Sequence, residues 1–419
     1  MAFAHTTLLR SEPAAGSRSA TSPERVRLVF SEALEPSLAQ LSIVDVAGSV
    51  VRLSASGDPH DVNAIVAPLS ALAPGSYRLR WRVVSADGHP VEGSFTFSVG
   101  VESAAAMAPP VPLPADEESI VWGPSVGGAP LIPAALRGVA LGTLMALAGV
   151  LSFIAWPRST DRVVSRRANR VAMVCAVAAP LLLVLHFGAW AMNADAAHQL
   201  SSESLSAALA TSVGRVELWR TGLALVALWA VALARRPGLA LPFAVAALVV
   251  SGATGHAAAI SPLYATPAKA LHLVAAALWA GGLLWLLCLD RQDVDQFIRE
   301  TLRVSSVALA GVVIVMLSGI VQTLLFLPTL SDLLTSAYGA LVLAKVFGML
   351  ILIAFGAHHR FRVLPLLRSD AQSPTRLVVT VRREVVVFGV VVLLGGLLAY
   401  VPPALHSASH AAHSHIISP

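Results

Sequence analysis

The stretch "WRVVSADGHPVEGSF" contains a carboxylate, Asp87, and an imidazole, His89, two residues apart. If Asp87-Gly88-His89 is extended, both side chains lie on one face of a strand end and can share one metal ion. His5, in the opening "MAFAHTT", adds a third candidate. Ala2-Phe3-Ala4 has the A-x-A form that signal peptidase prefers, so the segment reads as the trailing edge of a secretory signal. A cut after Ala4 would leave His5 with both a free α-amine and an imidazole. Two nitrogens from one residue, a second imidazole and a carboxylate suit the tetragonal N/O preference of Cu(II). On spacing alone, D-G-H-P also reads as a plain turn.

A second set of polar residues lies in strongly apolar stretches: His186 in "LLLVLHFGAW", His256 in "SGATGHAAA", His272 in "KALHLVAAALWAGGLLWL", and Met192 beyond His186. Ionisable groups are costly inside a bilayer, so each is a functional candidate. Imidazole serves copper in either oxidation state and thioether favours Cu(I). For each histidine taken singly, an interhelical hydrogen bond is the alternative. Glu217 and Arg220 in "GRVELWR" are expected to pair at the membrane interface, and Glu384 to mark the inner end of the last span. Lys345 lies in the seventh span, where it could repel cations, pair with a carboxylate or snorkel outward. His406, His410, His413 and His415 make the tail His-rich, a composition that binds metal or simply forms a polar end.

The elements that carry these residues differ along the chain. Of the 419 residues 56% are hydrophobic and 13% charged, about half the charge of an ordinary soluble domain. The net charge of +5 comes from arginines between apolar spans, which argues against nucleic acid as a partner. The two cysteines, Cys175 and Cys288, both lie in apolar spans and offer no disulfide framework for the N-terminal part. Residues 5–100 alternate in "RVRLVFSE", "YRLRWRVVSADG" and "GSFTFSVG", with turn clusters between, and predict a β-sandwich. Residues 101–130 are rich in Pro, Ala and Gly and read as a linker. Eight apolar spans follow near 132–155, 171–193, 212–234, 239–258, 267–289, 303–327, 338–358 and 384–402. Together, 131–403 form the expected membrane domain and 404–419 its tail. Arginine is concentrated in "WPRSTDRVVSRRANR", "ARRPG", "DRQDVDQFIRETLR" and "HHRFRVLPLLRSDAQSPTRLVVTVRRE", which fall on one side. That side is expected to be cytoplasmic, with the N-terminal domain and the tail outside.

Several motifs carry a family resemblance. "SEPAAGS", "LVFSEAL" and "LAPGSYRLRWRVVSADGHPVEGSFTF" resemble the CopC-type periplasmic copper-binding domain over nearly all of 5–100. The resemblance implies a Greek-key β-sandwich holding Cu(II) through His5, Asp87 and His89, with Glu32 of "FSE" near the site. The Met-rich loop of some members is absent, since "LSIVDVAGSVVRLSASGDPHDV" contains no Met. One Cu(II) site and no thioether Cu(I) site is therefore expected, and His60 in "DPHD" is a solvated loop residue. "SGATGHAAA", "LHLVAAALWAGGLLWL", "LVLAKVFGMLILIAFGAHHRFRVLP" and "REVVVFGVVVLLGGLLAYVPP" resemble the CopD copper-resistance and copper-uptake membrane proteins. The family often has Asn-Arg where this chain has His359-Arg360.

The expected function is capture of Cu(II) in the periplasm and its passage into or across the inner membrane, for copper homeostasis or resistance. The partners are copper ions, the lipid bilayer and periplasmic copper carriers. The chain has no G-x-x-x-x-G-K-[ST] nucleotide loop, and no enzymatic activity is expected. Two alternatives stay open. One is a copper sensor or chaperone scaffold without transport; the other is a haem-binding membrane redox protein whose histidines ligate in pairs.

Overall fold

The computed structural model describes residues 6–100, 125–126, 129–155, 162–195, 198–257, 261–289, 293–327, 329–366 and 373–401. Two compact units emerge: Met1–Pro130 with Gly188–Arg215, and Leu131–Phe187 with Val216–Pro419.

The first unit is a two-sheet β-sandwich. The strands are β1 (Leu8–Glu12), β2 (Arg18–Ser19), β3 (Arg25–Phe30), β4 (Gln40–Asp45), β5 (Val50–Leu53), β6 (Ser56–Asp58), β7 (Asp61–Pro68), β8 (Gly75–Val84) and β9 (Pro90–Val99). One sheet has the order β1-β3-β7-β6 and the other β2-β9-β8-β4-β5; all pairs are antiparallel except β2 with β9. The alternation seen in the sequence sets the inner face. Val26, Leu28 and Phe30 of β3 and Leu79, Trp81 and Val83 of β8 are buried, and the residues between them on β3 are more exposed. Phe30 meets Trp81 edge-on at 5.0 Å, joining the two sheets. Trp81 also lies over Gly93, its partner on β9, where any Cβ would overlap the indole.

Gly188–Arg215 packs on this sandwich, which the sequence does not foretell. Within it, α3 (Ser202–Ala210) has Ser201 as its N-cap, whose side chain accepts from the Ser204 amide. Glu35 of the sandwich, nearly buried, accepts from both the amide (2.9 Å) and the hydroxyl of Ser212. The Ser37 hydroxyl donates to the carbonyl of Ala207 at 3.1 Å. Most of the expected 101–130 linker lies outside the described residues; Ser125–Val126 pairs with Ala129–Pro130.

The second unit is helical. Its long helices are α1 (Leu131–Ile154), α2 (Arg162–Ala194), α4 (Ser212–Ala232), α5 (Pro237–Val250), α6 (Ala265–Cys288), α7 (Val294–Phe326), α9 (Ala337–His358) and α10 (Ser373–Leu398), with the short α8 (Leu330–Thr335) between α7 and α9. The last turns of α2 and the first turn of α4 belong to the β-unit. Each expected span falls on one of the eight long helices. Among the described residues, five helical stretches are long and apolar enough to cross a membrane: Leu131–Ile154, Arg166–Ala194, Ala265–Cys288, Val294–Phe326 and Ala337–Leu366. The other three differ for legible reasons. α4 carries Arg215, Glu217 and Arg220, α5 has 14 residues, and the apolar run of α10 starts only after Arg382, Arg383 and Glu384.

Small residues let these helices meet. Gly149 of α1 faces Gly281 of α6 so closely that a Cβ on either would overlap the other's backbone. Ala168, Ala172, Ala176 and Ala179 run along one face of α2 and are all fully buried. Leu181, Val184, Leu317, Leu324 and Phe347 remain exposed, as expected of a surface that faces lipid.

Candidate metal centre

Asp87 and His89 sit in the tight connection between β8 and β9. The expected extended Asp87-Gly88-His89 is not formed. Ser85 and His89 close a turn, with the Ser85 amide on the His89 carbonyl (3.0 Å) and the Gly88 amide on the Ser85 carbonyl (2.8 Å). Gly88 has φ +93°, a region that strains any residue with a Cβ. The ten-residue ladder of β8 with β9 ends at Val84–Pro90, and five residues must reverse the chain.

The turn nevertheless brings the two side chains together. His89 Nδ1 is 2.9 Å from Asp87 Oδ1, and the side chains are 11% and 8% exposed. The same carboxylate oxygen accepts from the Ser85 hydroxyl and, at 3.4 Å, from the His89 amide. With Nδ1–H donated to Asp87, the imidazole lone pair is on Nε2, the arrangement in which a carboxylate orients a metal-binding histidine. An imidazole nitrogen and carboxylate oxygens, nearly buried and already oriented, are a donor set suited to Cu(II).

Glu32 stands on the segment that joins this turn to the N-terminal edge. The Ala86 amide donates to the Ala33 carbonyl at 2.9 Å, tying the turn to the residue after Glu32. On its other side, Ser31 donates its amide to the Thr7 carbonyl (2.9 Å), and Thr6 Oγ1 donates to Glu32 Oε2 (3.2 Å). Residues 31–33 thus hold the chain at Thr6 and the Asp-Gly-His turn along one edge. His5, one residue upstream, lies outside the described residues, as do His406, His410, His413 and His415. His60 is an exposed loop residue whose amide donates to Asp58.

Helix α2 buttresses the turn from within the same unit. Trp190 Nε1 donates to the Gly88 carbonyl at 2.9 Å. A Cβ at position 88 would come to 3.1 Å from that nitrogen and 3.3 Å from Val213. Arg82 spans from Glu92 (2.9 Å) to the Asn193 carbonyl (3.0 Å). Met192 is half-buried, and its carbonyl faces His198 Nδ1 at 3.1 Å.

In the helical unit, the three candidate histidines engage separate partners. His186 is buried, with Nε2 3.0 Å from the Tyr400 hydroxyl and Nδ1 3.2 Å from Glu217 Oε1. His256 Nε2 is 3.0 Å from the Val401 carbonyl, and its ring meets Phe326 and Tyr338 edge-on. His272 Nδ1 is 3.0 Å from the Ser318 hydroxyl, which donates to the Ile314 carbonyl at 2.6 Å. Glu217 and Arg220 do pair, at 2.6 Å, but they are 2% and 1% exposed and so lie in the interior rather than at an interface. Glu384 is likewise no boundary charge: it is 1% exposed and accepts from Trp279 Nε1 at 3.3 Å. Lys345 is half-buried and close to Gly395. Sequence patterning misses the burial of Glu217 and Glu384 because a charge near a span end reads alike whether it faces headgroups or other helices.

Comparison with known proteins bears on both units. Residues 8–100 match the CopC domain, residues 129–266 the copper resistance protein D-like N-terminal domain, and residues 298–398 copper resistance protein D. The copper transport protein CutJ of Bacillus subtilis (strain 168) is 25% identical over 385 residues, covering 85% of this chain and 68% of that protein. Copper resistance protein C of Xanthomonas campestris pv. juglandis is 40% identical over 105 residues, covering 23% of this chain and 82% of that one. The inner membrane protein YebZ of Escherichia coli (strain K12) is 28% identical over 288 residues, covering 64% of this chain and 97% of that one.

Proposed function

The chain belongs to the copper-resistance family as a fusion of a CopC domain with CopD-type membrane helices, and from that premise we propose that it captures Cu(II) outside the cytoplasm and passes copper into the inner membrane. The observation that carries this reading is the nearly buried Asp87–His89 pair, 2.9 Å apart, inside the region that matches the CopC domain. Asp87 and His89 hold the cargo, His5 completes the donor set from the N-terminal edge, and Glu32 stands beside it. The helices receive copper at polar groups among His186, Met192, His256 and His272. Eight crossings, with the Arg-rich loops inside, put the β-sandwich and the tail on the periplasmic side. Copper is bound and moved, and no covalent chemistry is assigned to the chain.

The test is Cu(II) binding to the purified full chain together with copper content of cells. Replacing both Asp87 and His89 with Ala should lower Cu(II) affinity at least tenfold, about 1.4 kcal/mol. Cells carrying the variant should differ from wild type in intracellular copper under copper stress. Unchanged affinity would sink the assignment of the site. Unchanged intracellular copper on deletion of the whole chain would sink the transport reading.

A further inference from the structure

The helical unit contains two histidine–glutamate pairs whose surroundings differ. Glu217 Oε1, which faces His186, also takes a 2.6 Å hydrogen bond from Arg220, so a guanidinium counters its charge. Glu384 has no such partner: among the described residues no Lys or Arg lies within ion-pair distance of it. Its chain neighbours Arg382 and Arg383 are exposed. Trp279 donates to Oε1, and Oε2 faces His359 Nδ1 at 3.4 Å and takes no hydrogen bond.

His359 Nε2 is 2.7 Å from Thr380 Oγ1. The single hydroxyl proton of Thr380 has the helix carbonyls of Leu377 (2.9 Å) and Arg376 (3.1 Å) within reach. With that proton on a carbonyl, Thr380 accepts from His359, Nε2 carries the ring proton, and the Nδ1 lone pair faces Glu384. In either tautomer Glu384 Oε2 is buried without a hydrogen bond, and a buried carboxylate oxygen without a donor calls for a metal cation or a proton.

We propose that His359 Nδ1 and Glu384 Oε2 form a metal-cation site in the helical unit, on the path of the copper cargo. This inference rests on the reading that the helices handle copper. The spacing fits: with metal–nitrogen and metal–oxygen bonds of about 2.0–2.2 Å, a 3.4 Å separation subtends about 110° at the metal, close to the tetrahedral angle. Thr380 holds the tautomer as the outer partner of a metal-binding histidine does, and Trp279 fixes the other carboxylate oxygen. The His186–Glu217 pair lacks this character, because the cation its carboxylate would attract is already supplied by Arg220.

The experiment uses the full chain with His5, Asp87, His89 and the four tail histidines replaced by Ala, and Cu(II) as the probe. Bound copper is counted after dialysis, and nitrogen hyperfine coupling is read by electron paramagnetic resonance. This background should retain an equivalent with imidazole nitrogen coupling. Adding Glu384→Gln or His359→Phe should weaken it at least tenfold, and Thr380→Val several-fold. Glu384→Gln is nearly isosteric and keeps the reading valid if His359→Phe does not fold. Binding unaltered by Glu384→Gln and by Thr380→Val would overturn the proposal, the pair then sharing a proton instead. Copper uptake by vesicles containing the same proteins separates the two ideas. Binding at this pair without uptake sinks transport and leaves the site standing; uptake with binding unaltered in Glu384→Gln does the reverse.

Discussion

The indole of Trp190 hydrogen-bonds the carbonyl of Gly88 at 2.9 Å, so the middle residue of the Asp-Gly-His turn is fixed by a side chain more than a hundred residues away. The turn that aligns Asp87 with His89 is therefore determined twice: by the left-handed backbone of Gly88 and by the indole behind it. Gly88→Ala should cost about 1–3 kcal/mol from backbone strain, with crowding against Trp190 and Val213 added. Trp190→Phe, which removes one hydrogen bond, should cost about 0.5–1.5 kcal/mol. Thermal unfolding of the full chain checks both. Cu(II) titration should register a larger affinity loss for Gly88→Ala than for Trp190→Phe.

Glu217→Gln should destabilise the helical unit more than the buried area of one side chain suggests. Arg220 would keep its charge in the interior without the carboxylate that counters it, a loss of about 3–5 kcal/mol for a buried pair broken on one side. Glu217→Gln combined with Arg220→Met should recover much of that. Thermal melts in detergent should rank wild type above the double variant and the double variant above Glu217→Gln. The reverse order of the two variants would mean that the pair is not a charge-compensated unit.

Acid should weaken the β-sandwich partly through Asp58. The amide of His60 and then the guanidinium of Arg27 (2.7 Å) hold its carboxyl below the usual carboxylate value. A carboxyl whose folded value is depressed stabilises the fold above its unfolded value of about 4, and the contribution is lost as pH falls through the folded one. The stability gap between wild type and Asp58→Asn should be constant near neutral pH and shrink below about pH 4. A gap that widened on acidification would contradict this sign. Arg27 is also met by Asp61 at 3.1 Å, so Asp58→Asn should leave the strand pairing intact.

Gly149 and Gly281 should tolerate no side chain. A Cβ at either enters the backbone of the other helix, so α1 and α6 would have to separate. Gly149→Ala should cost at least about 1–3 kcal/mol and Gly281→Val more. Folded yield and melting temperature check this against Gly222→Ala, whose Cβ would enter open space.

Much of this architecture was legible because two periodicities dominate the chain. The period of two in "RVRLVF" put Val26, Leu28 and Phe30 on the inner face of β3, where they are buried. Long apolar runs likewise marked every long helix. What stayed illegible depends on partners distant in sequence. Nothing in "NADAAHQLSSESLSAALA" reveals that Ser37 bonds the carbonyl of Ala207, or that the Ser212 hydroxyl just beyond it reaches Glu35. The spacing of Asp87 and His89 suggested one strand face, whereas a glycine at φ +93° lets a turn achieve the same convergence. The burial of Glu384 is hidden from the sequence for a similar reason. The arginines beside it in the sequence suggest a wet helix end, but they are exposed while Glu384 is buried against Trp279 and His359.

The packing of Gly188–Arg215 on the β-sandwich makes docking an intramolecular event. Partners tethered by a short chain meet at effective concentrations of about millimolar. A handful of hydrogen bonds, such as those of Trp190, Asn193, Ala207 and Ser212 with the sandwich, can then suffice where two free proteins would need a far larger interface. Cutting the chain between residues 101 and 124 would turn this fit into a second-order association, and its occupancy would rise and fall with the abundance of the two fragments.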